Sequence, residues 1–173
     1  MWQSEPLLFE LQFDPERIIE LSDGYSYPRE ASVFEAGKRI ASGDYSRANL
    51  EIIFEWKTKG RGRTRVAANS NDEIADALRL AVAAKTDRAA VAVLCGLHGV
   101  QIPVASAILT AIDPARFTII DFRALEALGV RNAILNIDYY LAYLAYCREL
   151  ASKHGVTLRQ LDHALWQWSK RGG

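Results

Sequence analysis

Three groups of residues in this chain combine types and spacings that suit chemistry. The first is a single carboxylate, Asp121, which follows the apolar run Phe117-Thr118-Ile119-Ile120. A carboxylate behind two isoleucines is expected at the edge of an apolar cleft. A fixed carboxylate in such a place is a candidate for acid–base or electrostatic work. Asp121 also suits a purely structural role, capping a helix over 122–128 that stops at Gly129. The second group is Leu97-His98-Gly99-Val100-Gln101, a turn between two apolar stretches. Gly99 reaches positive φ without a Cβ clash, and Pro103 fits the first turn of the helix that resumes at Ile102. Amides around Gly99 to Gln101, with the helix N-terminus, suit an anion such as phosphate; an ordinary helix–helix turn is the other reading. The third group is Lys57-Thr-Lys59-Gly-Arg61-Gly-Arg63-Thr-Arg65, five of the 21 cations in nine positions with no acid among them. It reads either as a set of phosphate contacts or as a solvated loop.

The pattern Leu97-x-Gly99-Val100-x-x-x-x-Ala105-x-x-Ile108-Leu109, with a link ending in Ile119-Ile120-Asp121-Phe122-Arg123, resembles a known family. It is similar to the helix-hairpin-helix of base-excision DNA glycosylases, the endonuclease III-like superfamily. That family's hairpin reads L-P-G-V-G, and its link ends in V-D-T-H-V or a variant. Asp121 falls at about the family's distance from the hairpin. The resemblance implies duplex DNA, damaged or modified, as the partner, gripped at its backbone by His98, Gly99, Val100 and Gln101. It also implies hydrolysis of the N-glycosidic bond of a flipped-out base, with Asp121 as the catalytic residue. Two positions depart from the pattern. Gln101 stands where the second hairpin glycine is usual, and Pro103 stands where bifunctional members carry a Schiff-base lysine. A proline has no amine to attack a sugar C1′, so the covalent imine route is closed there. No four-cysteine cluster follows, which excludes the iron–sulfur group of some members, and no cofactor is expected. Monofunctional hydrolysis, leaving an intact strand with an abasic site, is the family route that remains. The alternative is a non-catalytic protein that grips DNA backbone with the hairpin, Asp121 being only a cap. A third reading is an interaction module whose hairpin binds protein.

An extruded base needs an aromatic or apolar wall. Trp56, Phe122, Tyr139, Tyr140 and Trp166 are the candidates, each also readable as core. His98 sits in the turn and suits a phosphate contact, whereas His154 and His163 read as surface or helix-end residues. Cys95 and Cys147 lie in apolar helical contexts and read as buried thiols. Neither belongs to a C-x-x-C or a Cys/His array, so no metal site is expected.

The elements that must position these groups are helices. At 173 residues, with 50% hydrophobic and 24% charged, the composition is that of one globular domain spanning 1–173. Lys plus Arg equals Asp plus Glu at 21 each, which argues against a chain that coats nucleic acid by overall charge and makes a local cluster matter more. Residues 1–13 form an arm or a short strand. Helices are expected from Asp14-Pro15 to near Gly24, from Pro28 to Ser42, over 46–57, after the capping box Ser70–Glu73, and from Thr86 into the turn. The hairpin pair covers about 89–112. A helix over 137–153 follows, with Leu141, Leu144 and Leu150 on its buried stripe, and Thr157 caps the last. About eight helices with short links make an all-α orthogonal bundle. With no bilayer-length apolar run and no leader pattern, a cytoplasmic monomer is expected, without membrane or metal cluster.

Overall fold

The computed structural model describes residues 9–173. All of its regular elements are helices, and no strand occurs among the described residues, so the fold is all-α. The first eight residues of the expected arm lie outside the described residues. Beyond them the chain runs along the end of a helix, where the amides of Glu10 and Gln12 donate to the carbonyls of Leu128 and Ala127 at 3.0 and 2.9 Å. The chain divides into two units, one of Ser26–Ile120 and the other of the segment up to Tyr25 with Asp121–Gly173.

The Ser26–Ile120 unit contains α2 (Glu30–Ala41), α3 (Arg47–Thr58), α4 (Arg63–Ala67), α5 (Asn71–Ala83), α6 (Asp87–Cys95) and α7 (Ile102–Ile112). Its centre is α7, in which nine of eleven residues are buried. A helix apolar on all sides must be covered on all sides, and α2, α3 and α6 all pack on it. The surrounding helices of the unit, such as α2 on α7 and α5 behind α6, carry a single stripe each. In α2 it is Val33, Ala36, Gly37 and Ile40, and in α5 it is Ile74, Ala77, Leu78 and Ala81, both at i, i+3, i+4, i+7. Leu80 falls off that stripe and is 43% exposed. The two polar residues inside α7 are satisfied locally. Thr110 donates to the Ser106 carbonyl at 2.7 Å, and the Ser106 hydroxyl donates to the Pro103 carbonyl at 2.8 Å. That same hydroxyl accepts the Ile120 amide at 3.1 Å, which pins the buried link Phe117–Ile120 to α7.

The second unit contains a 3-10 turn (Pro15–Arg17), α1 (Ile18–Asp23), α8 (Phe122–Ala127), α9 (Ile137–His154) and α10 (Leu158–Lys170). Asp14 caps the 3-10 turn, and Thr157 with Gln160 forms a complete capping box on α10. α10 packs against α1, α8 and α9.

Three expectations are corrected. Pro28 does not open a helix: Arg29 takes a left-handed backbone (φ 66°), and α2 begins only at Glu30. The basic segment is not one loop. Lys57 belongs to α3, the chain reverses through left-handed Lys59, Gly60 and Gly62, and Arg63 begins the one-turn α4. On α9 the buried face is Tyr140, Tyr143, Leu144, Cys147 and Ala151, while Leu141 and Leu150 are half-buried. The tyrosines and the cysteine, with Leu144 alone of the three leucines, set the phase of that helix, and the Tyr143 hydroxyl finds a hydrogen-bond partner in the Cys147 thiol.

α2 crosses α7 so closely at Gly37 that a Cβ there would lie 1.9 Å from the Ala111 carbonyl oxygen. Gly37→Ala must therefore push two backbones apart. It should destabilise by about 3 kcal/mol, in the upper range for overpacked cores, seen as a lowered denaturant midpoint with unchanged slope.

Candidate nucleic-acid interface

The hairpin is formed as its residue types require. Thr86 caps α6 by accepting the Ala89 amide at 3.3 Å, and the turn passes through Gly99 at φ 78°. Gln101 is the N-cap of α7 but its side chain makes no capping bond. Among the described residues, no acceptor meets the amides of Gly99 and Gln101. His98 and Gln101 are exposed. Val100 differs: it is 3% exposed and its amide donates to the Leu97 carbonyl at 3.3 Å. Its role is to close and bury the turn rather than to offer a donor, which corrects its place among the backbone contacts.

The basic segment lies against this turn, and two contacts hold it there. One is Asn69, only 4% exposed. Its Nδ2 donates to the carbonyls of Val66 and His98, both at 2.9 Å, and its Oδ1 accepts the His98 amide at 2.8 Å. One side chain thus ties the end of α4 to both polar groups of a hairpin residue. The other contact is steric. A Cβ on Gly99 would meet the Val66 side chain at 2.8 Å, the Val66 amide nitrogen at 2.9 Å and the Arg65 Cβ at 3.0 Å. Glycine is needed here for its backbone angle and for space. Arg61, Arg63 and Arg65 are all exposed beside it. Arg63 is ion-paired with Glu55, and Arg61 donates to the Thr58 carbonyl at 3.2 Å. Lys59 and Arg65 have no carboxylate partner among the described residues. The structure therefore joins the expected hairpin residues and the expected cations on one unit.

Asp121 begins the other unit. Its Oδ1 accepts the Ala124 amide at 3.0 Å, so it caps α8, and it is half-buried. Phe122 follows it, 71% exposed. The Arg123 guanidinium lies 5.1 Å from the Phe122 ring centre and 5.2 Å from that of Trp166, and Lys170 stands 5.0 Å over Trp166. Tyr139 is half-buried, edge-on to Phe9 at 5.6 Å. Tyr140 is wholly buried and stacks on Tyr143, so it is core and not a wall that a base can reach. Trp56 lines two surface clefts within the Ser26–Ile120 unit.

His163 is not the surface residue expected. Its ring stacks on Tyr25 with centres 3.9 Å apart, and burial, reinforced by the nearby Arg159 charge, pushes its pKa down to about 4 against the opposing pull of Asp162. Cys147 is buried and its thiol is pushed up by that burial; Cys95 is half-buried, and both are free. Among the described residues no cluster of three or more His, Cys, Asp or Glu is arranged to hold a metal ion.

Asn69 is the site residue that sequence reasoning missed. It sits in a polar turn before the Ser70 cap, where asparagine is unremarked, and its partner is 29 positions away. Compared with known proteins, the chain matches no family model, and no curated protein and no solved structure is significantly similar to it.

Asn69→Ala should cost about 1–2 kcal/mol, because it leaves the buried Val66 carbonyl and the part-buried His98 amide and carbonyl without that partner; urea unfolding measures it. His163 titrates at about 4 when folded against 6.5 for the free side chain. The unfolded chain therefore binds the extra proton first, and stability present above pH 6.5 is lost as pH falls toward 4. The denaturant midpoint should fall between pH 7 and pH 5, and by clearly less in His163→Phe.

Proposed function

We propose that this protein binds duplex DNA through its phosphate backbone, using the hairpin turn and the basic turns together, and removes a base by hydrolysis with Asp121 as the carboxylate. The observation that carries the reading is the Asn69 clamp, which holds unpaired hairpin amides beside exposed arginines. Free amides at a helix N-terminus and cations at its side are two forms of phosphate recognition, and each is strengthened by the other's fixed position. Because the net charge is zero, such binding rests on this local grouping and not on a general attraction.

In the hydrolysis, the C1′–N bond breaks and its electron pair leaves with the base, which takes up a proton. The sugar becomes oxocarbenium-like, and the Asp121 carboxylate stabilises that charge. Water adds at C1′, losing a proton to the carboxylate or to the departing base, so the strand stays intact. Pro103 offers no amine for strand cleavage. A second reading keeps the same grip without the chemistry. It is favoured by the engagement of Asp121 Oδ1 as the cap of α8.

Duplex affinity should fall with salt with a log–log slope of about −2 to −4, at roughly −0.9 per phosphate contact; a flat response would remove DNA from the proposal. Base release is measured under single-turnover conditions on duplexes carrying uracil, oxidised guanine, alkylated purines or mismatches, with alkali to reveal abasic sites. Asp121→Asn keeps a good helix cap but loses the charge, so release should drop by about a hundredfold or more while folding is retained. Salt-sensitive binding without release from any duplex favours the non-catalytic reading, and strand cutting without alkali would show that another amine serves.

A further inference from the structure

The surface of the Ser26–Ile120 unit carries a cleft of about 550 Å³ whose walls include Arg29, Glu51, Phe54, Trp56 and Arg63. A neighbouring cleft of about 430 Å³ shares Arg29, Glu55 and Trp56, and adds Tyr27 and Lys59. Volumes of this size fall in the range of about 300–1,000 Å³ common for small-ligand sites. We propose that these adjoining clefts bind one nucleotide unit, its base against Trp56 and its phosphate on Arg29 and Lys59.

The aromatic wall comes first. Tyr27 meets Trp56 edge-on at 5.7 Å, which fixes the indole plane and suits it to stack on a planar ring. The Trp56 Nε1–H is shut off from water and meets no acceptor among the described residues. The charge follows. Within the clefts Arg63 is neutralised by Glu55, and Glu51 is met by Arg47 at 3.7 Å. Arg29 and Lys59 have no carboxylate partner among the described residues, so the remaining charge is positive and sits at the lip. These two cations are also two of the three non-glycine residues with left-handed backbones among the described residues, at φ 66° and 53°. That conformation is disfavoured for any residue with a Cβ, and glycine would relieve it, yet both positions keep a long cationic side chain. An aromatic pocket with an unneutralised cationic lip fits a base joined to a phosphate better than it fits either alone.

The clefts also adjoin the hairpin. Val66 lines the larger cleft and is the residue against which Gly99 packs. The nucleotide unit is therefore either free or part of a strand. The inference does not depend on the glycosylase reading, since free nucleotide binding requires no duplex.

The test uses the whole protein, titrated with deoxyadenosine 5′-monophosphate, deoxyadenosine and inorganic phosphate, with tryptophan fluorescence and calorimetry as readouts. Saturable binding of the monophosphate is expected, with the nucleoside at least tenfold weaker and phosphate alone weaker still. Arg29→Gly with Lys59→Gly suits the left-handed backbone, so folding should persist, checked by thermal melting. This pair should weaken monophosphate binding at least tenfold while leaving the nucleoside unchanged. Trp56→Phe should weaken both. A duplex with one unpaired adenine, compared with a fully paired one, separates the sources: a preference for the unpaired base that the double variant abolishes assigns the clefts to a strand, and free monophosphate binding alone assigns them to a soluble nucleotide. Arg65→Ala, outside both clefts, should lower paired-duplex binding without touching monophosphate binding, so the two proposals fail separately. No binding of the monophosphate at millimolar concentration, with an unpaired-base preference that is absent or unaltered in the double variant, overturns the inference.

Discussion

One constraint governs the Ser26–Ile120 unit: α7 has no polar face. Nine of its eleven residues are buried, so other helices must surround it, and its small residues let them come close. Gly37 of α2 meets the Ala111 backbone where no larger residue fits. The Ser106 and Thr110 hydroxyls, which would otherwise be stranded there, bond to carbonyls of the same helix. Ser106 then does a second task, accepting the Ile120 amide and so fixing the link that leads to Asp121. Arg116 secures the other end of that link, with Nε on Asp87 Oδ1 at 2.9 Å and Nη1 on the Ala84 carbonyl at 3.2 Å.

With α7 held in this way, the turn that opens it is held too. A tight reversal through Gly99 exposes amides, but exposed amides on a wandering turn recognise nothing. Asn69 supplies the rigidity, and its cost in side-chain entropy is small for three hydrogen bonds made from one short side chain. The same clamp brings in the arginines of the preceding turns. A neutral chain can in this way carry a local cationic surface, because the net charge of the protein says nothing about where the charges sit.

The second unit places its polar groups differently. Asp162, 6% exposed, is ion-paired with Arg159; burial above all, then Cys147 and the Asp162 and Asp121 charges, raises the pKa of the Tyr143 hydroxyl. The Asp121 carboxylate is oriented by its capping bond from the Ala124 amide.

Much of this was legible in the residues. The capping box Ser70–Glu73, the Thr86, Asp121 and Thr157 caps, the turn at Gly99 and the all-α class are local matters, set by contacts within four residues and by apolar spacing. The candidate hairpin, the cations and Asp121 were found for the same reason: each is a short run with its own chemistry. What tertiary structure alone decided involves residues distant in sequence. The basic segment became two turns and a short helix because Val66 had to bury against Gly99. Tyr140 turned inward and Leu141 only partly so, because the phase of α9 depends on its neighbours. Asn69 gained its role from His98, and His163 its low pKa from burial, with Tyr25 stacked on its ring. Periodicity identifies which face of a helix is apolar, but the neighbour that meets each side chain is selected only when the whole unit packs.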